Sequence, residues 1–479
     1  MELFFVLIAS ILLAIVNQFH VITQWFTRPA GTYFTGIAHS APDYFLYTDI
    51  MAQGASGTLW TAAHFTNEPM AKTWIYWFNA LLGWLGNLIG LSPFGTYNVS
   101  LFLLVTLLCL LWYYFTKLLY PTNRLLRLTA WIMILTASSF SWNGQLLGQF
   151  WFSPAPAFNR LGGVPHQVFQ TIVFLLLAIS FNRRSLFMIP IAALAASANP
   201  IHMVLFIAAA IVLRAPRVIP LILVSVPVMF ATNAAFDLPV LAAAKAWENA
   251  QYVSVSLWQF ILSIGPIALL VPFGVKPFLK EKTPLRILLF SFSLLSIIVF
   301  FSPIPKLLGT TSVRWLSPAG YGVLGILAAE GLLRIKGKII PTMPLYFLFF
   351  ILYSVFTIPA LATQIQARAN TSELNYVPMT VIEVLVQLKV TGPGPVMEHS
   401  VVLTDPALPY DVLVPTFTGL PSFSGHPIHT LYPGVKEKLR RDYFAEKMTP
   451  DEQKQFLKDH RIRYVITKGN GSIKVSTYE

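Results

Sequence analysis

The sequence predicts an α-helical polytopic membrane protein of about eleven transmembrane helices with a small C-terminal α/β domain. Three observations carry that expectation. The chain is 55% hydrophobic and 11% charged over 479 residues, where a soluble protein carries about 25% charged residues. Apolar runs of about 15–22 residues recur along it, the length that a bilayer core demands. The net charge of +13 is uneven: 13 basic and 12 acidic residues follow position 362, so +12 falls on 1–361.

The first apolar run, Leu3 to Phe19, lacks a basic start and a small-residue cleavage site, so it reads as a retained span. Further spans are expected near 97–116, 125–142, 166–181, 185–198, 201–213, 217–235, 254–275, 286–303, 313–333 and 340–361. Their connections alternate in charge. One set holds 14 basic residues, among them Arg124, Arg127, Arg183, Arg184, Lys280 and Arg286. The opposite set holds six: Arg28, Lys72, Arg160, Lys245, Lys306 and Arg314. The basic set belongs on the cytoplasmic side. This places the chain in the plasma (cell) membrane as a multi-pass protein, with a cytoplasmic N-terminus and an extracytoplasmic C-terminal domain. The positive charge therefore reads as topology, and no nucleic-acid partner is expected. The runs 185–198 and 201–213 are short and flank Pro200; basic pairs at both outer ends favour two short crossings over one bent helix.

Residues 1–361 are thus expected to form the membrane module and 362–479 the outer α/β domain. Residues 20–95 form a long first external loop. Within it Met70 to Leu91 is apolar enough to span, but Trp74, Trp77 and Trp84 with Asn79 and Asn87 fit a helix lying in the interface. The tail predicts a helix over Val377–Leu388, a strand over Ser400–Thr404, a capped helix from Thr449-Pro450-Asp451-Glu452 to about His460, and a strand over Arg463–Thr467. The single cysteine, Cys109, excludes an intramolecular disulfide and a cysteine-rich metal site.

The chemistry is sought among the rare acids. The first 361 residues hold only eight, and Asp43, Asp49 and Glu68 are three of them. Carboxylates beside a bilayer are costly unless solvated or used. A helix begins here, with Ser40 as N-cap, Pro42 in the first turn and Asp43 at the capping-box position. Asp43 is therefore either a helix-start carboxylate or a general base. Asp49, six residues on, lies about 120° around the helix from it, so the two do not form a tight pair. Asp43, Asp49, His64, Glu68, Arg160, His166, His202, Arg314 and His426 all fall at or beyond the predicted outer face. Arginine suits phosphate because its planar fork donates two parallel hydrogen bonds, and a carboxylate can deprotonate an acceptor. Each has a plainer role: Arg160 and Arg314 as headgroup anchors, His166 and His202 as helix-start residues after Pro165 and Pro200, His426 as a turn residue. No P-loop, paired CxxC, HExxH, GxSxG or Rossmann glycine run occurs.

These residues resemble the C-type glycosyltransferase superfamily (GT-C), in a prokaryotic branch akin to its protein mannosyltransferase and aminoarabinose transferase relatives. The matching strings are Ser40-Ala-Pro-Asp43-Tyr44-Phe-Leu-Tyr47, Gln53-Gly54 with Gly57, Phe65-Thr-Asn-Glu68-Pro69, Asn159-Arg160 with Pro165-His166, Asn199-Pro-Ile-His202 and Thr310-Thr-Ser-Val-Arg314-Trp-Leu316. In the tail they are Pro415-Thr-Phe-Thr418-Gly419, Ser424-Gly-His426 and Ile462-Arg-Tyr464-Val-Ile466. The resemblance implies a membrane glycosyltransferase that moves a sugar from a polyprenyl-phosphate-linked donor to a glycan, lipid or protein acceptor on the extracytoplasmic face. It implies Asp43 as catalytic base or organiser, with Glu68, Arg160, His166 and Arg314 lining the donor and acceptor cavity. Asp49, His64, His202 and His426 are the remaining substrate-binding candidates. A divalent metal is left open, because Asp43 and Asp49 do not form the close acidic pair of the metal-using members. The competing expectation is a multi-span transporter or lipid flippase. Such a protein would place ionisable groups at mid-membrane instead of at one face.

Overall fold

The computed structural model describes residues 1–251, 253–339, 342–369, 372–390, 400–469 and 473–478. The chain divides into two compact units. One holds Met1–Phe19, Leu101–Ala234 and Glu248–Arg368; the other holds His20–Ser100, Ala235–Trp247 and Ala369–Glu479.

The first unit is helical. A helix lies at each of the predicted span positions. Five helices are long and apolar enough to cross a bilayer: Pro93–Leu119, Pro165–Arg183, Val218–Ala235, Pro284–Phe301 and Phe350–Arg368. Counting each of two bent pairs as one span, Glu2–Asn17 with Phe19–Phe26 and Leu257–Leu269 with Val271–Lys280, gives up to seven among the described residues. The expected number of about eleven is thus met in helices but not in helices of full crossing length. The run near 125–142 shows why. Its helix stops at Thr136, and Ser138-Ser139 leads into a hairpin pairing Ser141–Trp142 with Gln145–Leu146. Met188–Ala198 and Pro200–Val212 are separate short helices, and the Asn199 side chain caps the second by accepting from His202 N at 3.0 Å. Glu2 accepts from Arg127 Nε at 2.6 Å and lies 3.3 Å from Arg124. The first helix therefore begins beside the basic connection 117–127.

The second unit joins the first loop to the tail. Thr32–Phe34 pairs antiparallel with Tyr376–Pro378. Val401–Thr404 runs parallel to Ile462–Lys468, which pairs antiparallel with Ile473–Thr477. Phe423, Phe456, Leu457 and Val465 are buried against this sheet with Val401 and Leu403. The helix Pro450–Asp459 carries a complete capping box between Thr449 and Glu452. The expected helix over 377–388 is observed as Met379–Val390. The apolar stretch 70–91 forms only a twelve-residue helix, Trp77–Leu88, too short at about 1.5 Å per residue to cross. That helix packs on Ala41–Ala55 through two glycines. A Cβ on Gly54 would sit 2.0 Å from Ala80 O, and one on Gly83 would sit 2.0 Å from Met51 O. Any larger residue forces the helices apart, so this contact fixes the helix that carries Asp43.

Candidate active site

Asp43 lies in the first turn of the helix Ala41–Ala55. Ser40 is its N-cap, yet makes no side-chain capping bond. The Asp43 carboxylate turns instead to a histidine 383 positions on: its Oδ1 lies 3.4 Å from His426 Nε2. The carboxylate side chain is 44% exposed and His426 1%. A turn after the buried Phe423 fixes His426. Its Nδ1 accepts from Ile428 N and His429 N, each at 3.1 Å. With Nδ1 accepting, the proton of the neutral ring sits on Nε2 and faces the carboxylate. Burial alone would raise the Asp43 pKa, but the contact with His426 holds it below the usual carboxylate value. Burial, with His426 beside it, pushes His429 down to about 3, so its ring is neutral.

Aromatic rings border this carboxylate. His39 stacks on Tyr47 at 6.2 Å and on Tyr97 at 5.9 Å. Tyr47 meets Tyr76 edge-on, and Tyr76 meets His429 at 6.4 Å. His429 stands perpendicular to His426 at 4.8 Å. An apolar cavity lined by Leu46, Ile50, Phe65, Tyr76, Leu241 and His429 adjoins them. His39, Tyr47, Tyr76 and His429 are absent from the residues expected from sequence.

Asp49 belongs to a separate centre, as its angular offset from Asp43 requires. It is buried, with Oδ1 3.0 Å from His64 Nδ1 and Oδ2 accepting from Gln53 Nε2 at 3.0 Å. Burial opposes charge on His64, yet the Asp49 carboxylate raises its pKa above the usual value. Glu68 accepts from Lys436 Nζ at 2.7 Å and from the Thr66 hydroxyl.

The other predicted site residues lie in the helical unit. Arg160 is buried, and its guanidinium donates to the carbonyls of Ile134, Ala137, Pro154 and Ala155 at 2.5–3.1 Å. Four of its five N–H donors are thus committed to backbone, and Arg160 is a bracing residue here, neither a headgroup anchor nor an open phosphate fork. Arg314 is 38% exposed and binds Glu248 through both arms, at 2.6 and 2.7 Å, with Phe152 under its plane. His202 is buried, and its Nε2 lies 3.1 Å from Arg314 O. His166 opens the helix Pro165–Arg183. Among the described residues no three His, Cys, Asp or Glu side chains come together as a metal site.

No family model and no curated protein matches this chain. Solved structures do. The Archaeoglobus fulgidus oligosaccharyltransferase in its apo form aligns with a TM-score of 0.57 at 11% identity, over 96% of this chain and 69% of that one. The same enzyme tethered to an acceptor peptide containing the NVT sequon gives 0.53 at 11% identity, over 97% and 68%. The archaeal oligosaccharyltransferase AglB from Archaeoglobus fulgidus, in complex with an inhibitory peptide and a dolichol-phosphate, gives 0.51 at 11% identity, over 96% and 68%. At this identity the likeness is one of fold alone.

Proposed function

We propose that this chain is a membrane glycosyltransferase. It moves a sugar from a polyprenyl-phosphate carrier to an acceptor on the extracytoplasmic face, with Asp43 as general base. The observation that carries the reading is the Asp43 carboxylate itself, half exposed and held by a buried, singly oriented His426. An ionised carboxylate at a mouth bordered by aromatic rings takes a proton from an acceptor group. The acceptor then attacks the anomeric carbon while the carbon–oxygen bond to the phosphate breaks. The proton ends on Asp43 and the electron pair leaves with the phosphate. His426 Nε2–H orients the carboxylate and touches no reacting atom. Within the helical unit, the Arg314 fork is suited to a phosphate, which would exchange there with Glu248. The dolichol-phosphate in complex with one structural neighbour supports this choice of donor.

The test is sugar transfer by the purified protein, with radiolabelled polyprenyl-phosphate sugars as donors and Asp43→Asn alongside wild type. Losing a general base lowers the rate by about 10²–10⁴-fold. Wild-type transfer with an equally active, folded Asp43→Asn variant returns Asp43 to a helix-start role.

A further inference from the structure

Two threonine hydroxyls clasp the turn that bears His426 to the segment Phe65–Glu68. Thr430 Oγ1 donates to Phe65 O at 2.7 Å and accepts from Gly425 N at 3.3 Å and His426 N at 3.1 Å. Thr66 Oγ1 accepts from Leu431 N at 3.3 Å and from Lys436 Nζ at 2.8 Å, and donates to Glu68. A hydroxyl offers one proton and two lone pairs, so both groups are saturated and each can make these bonds in one arrangement only. Thr66 also bridges Ser424 as an isolated antiparallel pair.

Lys436 anchors the clasp. It is 4% exposed, and its ammonium reaches Glu68 Oε2 at 2.7 Å with the Phe423 ring 5.4 Å away. Burial pulls its pKa below the usual lysine value even with Glu68 beside it. An ammonium is buried so completely only where its bonds are made. Removing it frees a lone pair on Thr66 and strands the Glu68 carboxylate. The strain falls on Leu431 and Thr430, the latter one bond from His426 N.

We infer that Lys436, through Thr66 and Thr430, is a positioning residue that sets His426 against the Asp43 carboxylate. The inference rests on the reading of Asp43 as the base, but its geometry can be measured without turnover. The experiment uses the full chain in lipid nanodiscs with ¹⁵N-labelled histidine, the His426 signal being assigned by its loss in His426→Gln. Lys436→Met and Thr430→Val are compared with Thr430→Ser, which keeps the hydroxyl. Lys436→Met and Thr430→Val should each shift the His426 Nε2–H resonance. They should lower kcat by about 10–100-fold, the scale of a misplacement near 1 Å, with KM unchanged because neither side chain touches substrate. Thr430→Ser should restore both readouts. Should Lys436→Met fail to fold, the isosteric Thr430→Val decides. An unmoved His426 resonance in folded variants overturns the inference, whatever the rate does. A shifted resonance with unchanged transfer supports the positioning of His426 and overturns its link to the rate. If wild type transfers from no donor, the resonance alone decides.

Discussion

Arg314 and Glu248 meet fork to fork: Nε lies 2.6 Å from Oε1 and Nη2 lies 2.7 Å from Oε2. A carboxylate in this geometry occupies the same two donors that a phosphate would use. The pair is partly exposed, and such pairs hold weakly enough to exchange. Glu248→Gln should therefore tighten binding of polyprenyl phosphate by about 3–10-fold, and Arg314→Lys should weaken it, because a point charge lacks the planar fork. Binding of fluorescent polyprenyl phosphate in nanodiscs measures both. Equal affinity in wild type and both variants would remove Arg314 from the phosphate site.

The Asp43 pKa lies below the usual carboxylate value because the contact with His426 outweighs burial. Transfer should thus keep a flat acid side down to that value and fall only below it. In His426→Gln the largest favourable contact is lost while burial remains. The acid limb of the pH–rate profile should move to higher pH. A limb that stays in place would show that His426 does not govern Asp43.

His64 behaves in the opposite sense. Its pKa is raised in the folded protein by Asp49. The stability this contributes is fully present below the unfolded value of about 6.5 and is lost as pH rises through the folded value. Wild type should lose thermal stability from about pH 6.5 upward, and Asp49→Asn, where burial alone acts on His64, should be less stable below that and gain stability as pH rises toward it. Melting curves in detergent at closely spaced pH give the comparison.

Arg160 offers a contrast with Arg314. Its hydrogen bonds run to carbonyls, and burial lowers its pKa only to about 10, so it stays charged. Arg160→Met should destabilise the helical unit by about 3–5 kcal/mol, the cost of breaking a buried, bonded charge. It should not change polyprenyl-phosphate affinity in whatever fraction folds. Selective loss of affinity with an unchanged melting temperature would return Arg160 to the ligand.

What sequence can show and what it cannot divide along physical lines. Local chemistry was legible: Pro42 and Ser40 mark a helix start, and Thr449 with Glu452 forms the capping box that their spacing demands. The separation of Asp43 from Asp49 follows from 100° per residue and is seen in their different histidines. The role of Arg160 was not legible, since the same residue at a loop end can face lipid headgroups or turn inward onto four carbonyls. The aromatic border was hidden for another reason. Tyr47 and Tyr76 lie in different elements and meet His39 and His429 only after Thr32–Phe34 pairs with Tyr376–Pro378 and the turn at 424–430 docks on Phe65. No periodicity within one segment encodes such a meeting.

The clasp between Thr66 and Lys436 joins positions 370 apart in the chain. At about 5–20 residues per second, the segment bearing Thr66 emerges roughly 20–70 s before the lysine that completes it. For nearly all of that interval Asp43 has been made and His426 has not. The carboxylate acquires its partner only when synthesis is nearly over. A chain stopped short of the tail would thus reach the membrane with its helices in place and its base unassembled. The order of synthesis leaves the contact between Asp43 and His426 unmade until the tail arrives.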